Sequence, residues 1–337
     1  MEKKMRLNII GNGFDMYHGL PCSYYYFGCY LLQHDEEFYR ELSDMYGFTY
    51  AIMTGYEDYE YGVQNIFWRC FEEKLGELDT TWMEGKLEDD LNLECPDPID
   101  IETPEEVNAK KIKEYFQEWV SSTLDIEENY KIVKNHLRRK KLKWKEDDYF
   151  INYNYTHTLE KVYNIPSDRV FHIHGACGED VELIVGHGNE EVITEYKDKL
   201  YEMENSPEYY GEQSFRNRCN EYRCELTILR NLRKDTESLI YDMERQLSCL
   251  DEVSEICIWG LSCGEVDMPY IERLNQLYLD ASWSFSYYGD TERMDREKLA
   301  RQLELTRVNY FQLNNPNSKH IEELLVQENN VQTFEVI

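Results

Sequence analysis

No Cys-x-x-Cys pair occurs among the 10 cysteines, so the thiols read as reduced, buried or incidental. No apolar h-region follows Met1-Glu2-Lys3-Lys4, and no apolar run approaches membrane-spanning length. The expectation is a soluble, cytoplasmic protein without a membrane partner. In that setting the sequon Asn154-Tyr155-Thr156 is accidental. Basic residues are scarce: Lys+Arg 36 stand against Asp+Glu 67, for a net charge of -31. Such a surface repels nucleic-acid backbones and anionic lipid, which leaves charge as a solubility device. Nucleic-acid mimicry is the alternative, and the glycine-rich turn described below argues against it. The single basic cluster, Arg138-Arg139-Lys140-Lys141-Leu142-Lys143-Trp144-Lys145, reads as a solvated helix end. Internal repeats are absent.

What is present is a chain of 337 residues, 42% hydrophobic, long enough for one large domain or a core domain with insertions. Short apolar runs at 7–10, 149–153, 171–174, 183–185, 256–259, 283–288 and 308–313 predict strands. Helical spacing marks 23–46, 63–78, 269–279 and 295–305, and a proline-containing start at Thr103-Pro104-Glu105-Glu106 opens a broken helix towards 142. The acidic stretch 89–104 predicts an exposed loop, and 196–250 reads as polar and helical. Strands alternating with helices give an α/β class with a parallel, Rossmann-like sheet. Two helical insertions, about 30–145 and 190–250, are expected over its carboxyl edge, where ligands bind in open α/β folds.

The first strand runs into Gly11-Asn12-Gly13-Phe14-Asp15. Glycines at that point allow backbone N–H groups to approach a phosphate ahead of a helix. The third glycine of the dinucleotide fingerprint falls at Met16, and a plain tight turn is the competing reading. Asp15 would repel a diphosphate unless it bonds backbone or ribose. Asn152 and Asn154 share a strand face, and Asn154 could orient water or a ribose hydroxyl or cap the next helix. His172 and His174 share another predicted face, with His187 following in Gly186-His187-Gly188. The candidate general base is His174, since Gly175 allows close ligand approach. A zinc site built from these histidines lacks a specified fourth ligand, so no metal is expected. Gly260-Leu261-Ser262-Cys263-Gly264 matches the G-x-S-x-G nucleophile elbow, with Asp280, Asp290 and His320 downstream. An elbow helix starts immediately after the serine, whereas Pro269 places this one later. The loop from Gly260 and Ser262 to Asp267 is better suited to cradling ribose or phosphate.

Taken together, Gly11-Asn12-Gly13-Phe14-Asp15 with His18-Gly19-Leu20-Pro21, Asn154-Tyr155-Thr156 with Leu159-Glu160, His172-Ile173-His174-Gly175, Gly186-His187-Gly188, and Gly260-Leu261-Ser262 with Asp267-Met268-Pro269-Tyr270 resemble the bacteriophage abortive infection protein AbiH family over nearly the whole chain. The same order is similar, more distantly, to the sirtuin fold. That resemblance implies a single sirtuin-like nucleotide-binding domain. NAD+ would be its substrate. Gly11, Asn12, Gly13, Phe14, Asp15, Gly175, Gly260, Ser262 and Asp267 would contact the nucleotide, and Asn154 and His174 would be catalytic. Asp15 stands where the sirtuin pattern has serine and Thr156 where it has aspartate, and the zinc ribbon is missing. The resemblance therefore implies NAD+ cleavage in anti-phage defence rather than deacetylation; such a toxic activity must be held off in uninfected cells, so self-association or a phage-derived activator is implied. A non-catalytic nucleotide or phage-product sensor is the alternative, and a serine hydrolase using Ser262 a further one.

Overall fold

A computed structural model describes residues 5–48, 66–79, 104–136, 142–178, 182–211, 213–250 and 252–313. In chain order its first elements are β1 (Met5–Ile10), α1 (Asn12–Tyr17), α2 (Tyr24–His34), α3 (Glu36–Met45), α4 (Ile66–Arg69), α5 (Phe71–Lys74) and α6 (Pro104–Trp119). A π-helical turn (Val120–Leu124) follows, then α7 (Glu127–His136), β2 (Tyr149–Asn152), α8 (Thr158–Tyr163) and β3 (Val170–His172). The rest comprises α9 (Glu190–Glu204), α10 (Pro207–Gly211), α11 (Gln213–Asn231), α12 (Thr236–Leu247), β4 (Val253–Trp259), α13 (Met268–Leu277), β5 (Ser282–Tyr287), α14 (Asp290–Gln302) and β6 (Val308–Gln312). The chain divides into two compact units. One comprises Met1–Cys22, Val120–Leu183 and Thr236–Ile337, and the other comprises Ser23–Trp119 and Ile184–Asp235.

The first unit holds a six-stranded, all-parallel sheet in the order β3-β2-β1-β4-β5-β6. This is a Rossmann-like α/β fold. The central strands β1 and β2 are buried on both faces, which is why they read as continuous apolar runs rather than alternating ones, whereas the edge strand β6 is mostly part-exposed. Two buried polar side chains of β1, Arg6 and Asn8, are bonded across the sheet unit, whereas the Ser284 hydroxyl on β5 has no partner. Asn8, fully buried on β1, donates to the Tyr149 carbonyl at 3.3 Å and accepts from Trp259 Nε1 at 3.0 Å, so it spans β2 to β4. Arg6 forms a two-pronged ion pair with the buried Asp148, whose Oδ2 also takes the Lys145 N–H at 2.8 Å. Trp144, completely buried, packs against Phe14, Phe150, Tyr163 and Trp259. The end of the basic run is therefore an anchored non-helical segment, not a solvated helix end; residues 138–141 lie outside the described residues.

The second unit is helical. Phe27, Trp68, Phe71, Phe116 and Trp119 form its aromatic centre. Gly28 is required there, since a Cβ would sit 2.8 Å from the Trp68 ring. The expected helix 63–78 is broken at Cys70 (φ -118°, ψ 39°), and the break turns both Trp68 and Phe71 into the cluster as a stacked pair. Residues 63–65 and the acidic stretch 80–103 lie outside the described residues.

Two strand expectations fail. Residues 183–185 form no strand; Leu183 and Val185 are buried, but the backbone pairs only beyond Gly186, where His187 N–H bonds Leu232 O at 2.9 Å and Lys234 N–H bonds His187 O at 2.8 Å. The third strand stops at His172. Ile173 and His174 lie in a turn closed by Gly175 at φ +79°, so His172 and His174 do not share a strand face.

A close backbone approach joins the β1–α1 turn to the loop after β4. Gly13 N–H donates to the Gly260 carbonyl at 2.7 Å. A Cβ on Gly260, which sits at φ +65°, would lie 2.2 Å from Phe14 N. One on Gly11 would lie 2.4 Å from Leu261 Cα. Gly260→Ala is therefore expected to cost at least about 3 kcal/mol, from a backbone clash added to left-handed strain. Gly19→Ala, at φ +81° with nothing within 4 Å, carries the strain alone and should cost about 1–2 kcal/mol. Urea unfolding of the two variants checks the ordering, and equal costs would contradict it.

Candidate functional site

The sheet order reverses between β1 and β4: β2 and β3 follow to one side, β5 and β6 to the other. In open α/β sheets such a switch point opens a crevice beyond the carboxyl ends of the strands, where ligands bind. Here its rims are Gly11–Gly13 and Gly260–Ser262. The second rim is fastened from behind. Ser286 Oγ accepts the Gly260 N–H at 2.7 Å. The buried Arg296 guanidinium donates to the Leu261 carbonyl at 2.5 Å and to the Ser262 carbonyl. The Tyr288 hydroxyl donates to the Gly13 carbonyl on the opposite rim.

Beside Gly11, the end of β2 supplies Asn154, which is 6 % exposed. Its amide donates to the Gly11 carbonyl at 3.1 Å, and its own N–H donates to Asn152 Oδ1 at 3.0 Å. That bond fixes the amide plane, so Asn154 turns its acceptor Oδ1 away from Gly11. Asp15, 1 % exposed, lies next to it. Thr156 Oγ1–H donates to Asp15 Oδ2, and Thr158 Oγ1 stands 3.3 Å from Thr156 Oγ1. Asp15 Oδ1 is buried without a hydrogen-bond partner. Burial pushes the Asp15 carboxyl up to about 6, against the opposing pull of Thr156, Thr158 and Asn154 and with help from the negative charge of Asp125.

Asp125 emerges directly from the π-helical turn, its N–H closing on Val120 O at 2.8 Å. Turns of this kind occur often at functional sites. Its Oδ1 accepts the His157 N–H at 2.9 Å and the Tyr130 hydroxyl, and its Oδ2 lies 2.9 Å from His157 Nδ1. Burial alone would raise this carboxyl, but the bonds from His157 and Tyr130 outweigh it and hold it below its ordinary value. Two neighbouring carboxylates are thus pushed in opposite directions, an arrangement that separates acid and base roles. Neither Asp125 nor its partnership with His157 is visible in sequence, where the two are 32 positions apart.

The histidines fall into distinct settings. His174 is buried among Tyr153, Tyr155 and Tyr270, with ring centroids 5.4, 6.1 and 6.2 Å away. His172 instead bonds Glu160 Oε1 through Nε2 at 2.9 Å and meets the Asn154 carbonyl and the Asn152 amide through Nδ1. His18 is fastened between the Phe14 carbonyl (2.7 Å) and the Tyr163 hydroxyl (2.5 Å), and burial lowers its pKa to about 4, so it is neutral. His187 belongs to the helical unit, where it bonds Leu229 O and Asn189 N–H. Among the described residues no three His, Cys, Asp or Glu side chains gather as a metal site would require.

Other expected contacts are positioned as follows. Phe14 is a core residue packed on His18, Trp144 and Tyr163. Asn12 donates to the Cys22 carbonyl at 3.0 Å. Gly175 N–H bonds the His172 carbonyl at 3.2 Å. Ser262, exposed, donates to Asp267 Oδ2 at 2.9 Å; Asp267 stands at the start of α13 without capping it. His320 lies outside the described residues.

A family model described as bacteriophage abortive infection AbiH matches residues 7–287, which cover the whole switch-point region. The chain belongs to the AbiH family. No curated protein and no solved structure matches it. AbiH membership carries a role in phage abortive infection. Among the described residues of this AbiH chain, no helix is long and apolar enough to cross a membrane.

Asp15 also sets a pH dependence. Its folded pKa lies above the ordinary value of 3.8, so the folded state is favoured while the carboxyl is protonated and loses that advantage as pH rises from about 4 through about 6. Two pK units correspond to about 3 kcal/mol. The titratable groups that feel its charge are Cys22, Asp125, Tyr130 and Tyr288, of which only Asp125 is ionised in that range. Asp15→Asn is expected to match or exceed the parent in urea midpoint at pH 7.5, with the difference vanishing near pH 4. An equal loss of stability at both pH values would mark Asp15 as a structural support instead.

Proposed function

We propose that this AbiH protein is an NAD+ glycohydrolase that depletes NAD+ during phage infection. The observation that carries the reading is the sheet order β3-β2-β1-β4-β5-β6, the arrangement of dinucleotide-binding sheets, with Gly11–Gly13 and Gly260–Ser262 at its reversal. The sirtuin-like order of motifs supports it further. In this reading NAD+ lies along the crevice with its nicotinamide ribose at the end of β2. The bond from ribose C1′ to the nicotinamide nitrogen breaks, and its electron pair leaves with nicotinamide through an oxocarbenium-like state. Water then forms a bond to C1′, its proton passes to a base, and ADP-ribose is released. Asn154 Oδ1 orients that water or the ribose. His174 takes the proton, and its aromatic surround of Tyr153, Tyr155 and Tyr270 limits water at the reacting centre. Such an activity must be restrained in uninfected cells, so control by a phage-derived activator or by self-association belongs to the same proposal.

One feature favours the alternative of a sensor that binds a nucleotide without turnover. The Gly13 N–H is already given to Gly260 O, and an Asn154 amide hydrogen to Gly11 O, so both groups serve the scaffold.

Purified protein incubated with NAD+ and followed by chromatography tests both readings. Nicotinamide and ADP-ribose are expected, and His174→Ala and Asn154→Ala should each lower the rate by about 10²–10⁴-fold in protein that still folds, with Asn154→Ala also losing about 1–3 kcal/mol of stability because it frees the Gly11 carbonyl. A folded Asn154→Ala protein that works at full rate would sink the catalytic assignment. Tight binding with no product over hours would favour the sensor.

A further inference from the structure

We infer that Asp15 is a ribose-binding residue, its Oδ1 accepting a hydroxyl of the nicotinamide-bearing ribose beside Asn154. This rests on the nucleotide reading above and adds to it a specificity that the glycines do not supply. Three observations carry it.

The first is the unfilled oxygen. Asp15 is 1 % exposed, its Oδ2 is held by Thr156, and its Oδ1 has no donor. A buried carboxylate oxygen left without a donor is costly; Asp148 is satisfied by Arg6 and Lys145 N–H and Asp125 by His157 and Tyr130, and Glu160, which also leaves one oxygen unfilled, has His172 on the other. The second is the neighbouring acceptor. With the Asn154 amide committed to Gly11 O, that side chain offers its carbonyl oxygen, which takes no hydrogen bond from the described residues. The Asp15 and Asn154 side chains meet, each keeps one acceptor oxygen unfilled, and a ribose with vicinal hydroxyls carries a donor for each. The third is the polarity of the turn. Gly13 N–H is taken by Gly260 O, so this end of the crevice presents acceptors where a phosphate needs donors. A diphosphate would meet the Asp15 charge unopposed, whereas a hydroxyl satisfies it.

The test uses the carbocyclic, uncleavable analogue of NAD+ and its counterpart lacking both hydroxyls on the nicotinamide-bearing ring, titrated by calorimetry into the full chain. The parent protein should bind the diol analogue about 10–100-fold tighter, the range for a hydrogen bond to a charged group. Asp15→Asn should bind both analogues at the weaker affinity. Thr156→Val, which removes the hydroxyl that holds Oδ2, should lose part of the discrimination and decides the matter if Asp15→Asn does not fold. Discrimination retained in both variants, or a parent protein that binds the two analogues equally, would overturn the assignment of Asp15 and leave nucleotide binding standing. Failure of the parent to bind either analogue would overturn both.

Discussion

The backbone contact between Gly13 and Gly260 is the constraint on which the functional end of this molecule depends. Parallel strands at the centre of a sheet diverge into loops, and here the loops after β1 and β4 press together so closely that neither tolerates a Cβ. That contact fixes where α1 starts, and so where Asp15 points. It also fixes the Gly11 carbonyl, to which the Asn154 amide is tied from the adjacent strand. Ser286, Tyr288 and Arg296 then act as a brace behind the β4 loop. Arg296 illustrates the economy of the arrangement, since one buried guanidinium satisfies carbonyls that a left-handed turn leaves pointing inward.

Electrostatics separates support from function. The surface carries a large acidic excess, yet each buried carboxylate of the sheet unit is handled on its own terms. Asp148 is matched by a cation, as a buried charge usually must be. Asp125 is matched by an imidazole, a phenol and a backbone N–H, which makes it a stable anion and orients His157 through Nδ1. Asp15 meets only neutral groups, Thr156, Thr158 and Asn154, with its Oδ1 left unfilled, and its neighbour Asp125 makes its charge less favourable still. Stability does not explain a half-satisfied acid in that position. Costly groups of this kind are kept where something outside the chain completes them.

Much of the architecture was legible in the amino-acid order. The buried runs that became β1, β2, β4 and β5 are apolar because both sheet faces are covered there, and punctuation at Gly11, Gly260 and Pro269 marks where β1 and β4 end and the next helix begins. The failures share one cause, which is that short apolar runs do not say what they pair with. Residues 183–185 are buried against side chains instead of in a ladder, and the run at 171–174 ends two residues early because Gly175 turns the chain. At the site, the positions of Asn154, Asp15 and Gly260 were readable from spacing. The meaning of the glycines was not, since the same residue type serves a phosphate cradle and a backbone crossing, and only the distance to Leu261 and Phe14 tells them apart. Asp125 and Arg296 carry no local signal, because each reaches the site from a distant segment. For Asp125 the approach depends on a π-helical turn that the 3.6-residue period does not encode.

The paired glycines followed by aspartate therefore take on a different physical sense from the pattern they suggest. In a phosphate loop, small residues expose donors to an anion. Here they bring two loops together, consume a donor in doing so, and leave acceptors on the open side. On the proposed activity, an end of the switch point rich in acceptors suits a hydroxylated ring attached to a cationic base better than a phosphate. Nicotinamide carries its positive charge only while joined to ribose, so an acidic surround holds the intact substrate better than the neutral leaving group. On the proposed activity that difference opposes cleavage in the ground state. It turns favourable once positive charge moves onto the ribose as the bond breaks, within reach of Asp15 and the Asn154 carbonyl. The same two oxygens that select the ribose would then stabilise the charge that develops on it, which makes binding and catalysis two consequences of one buried arrangement.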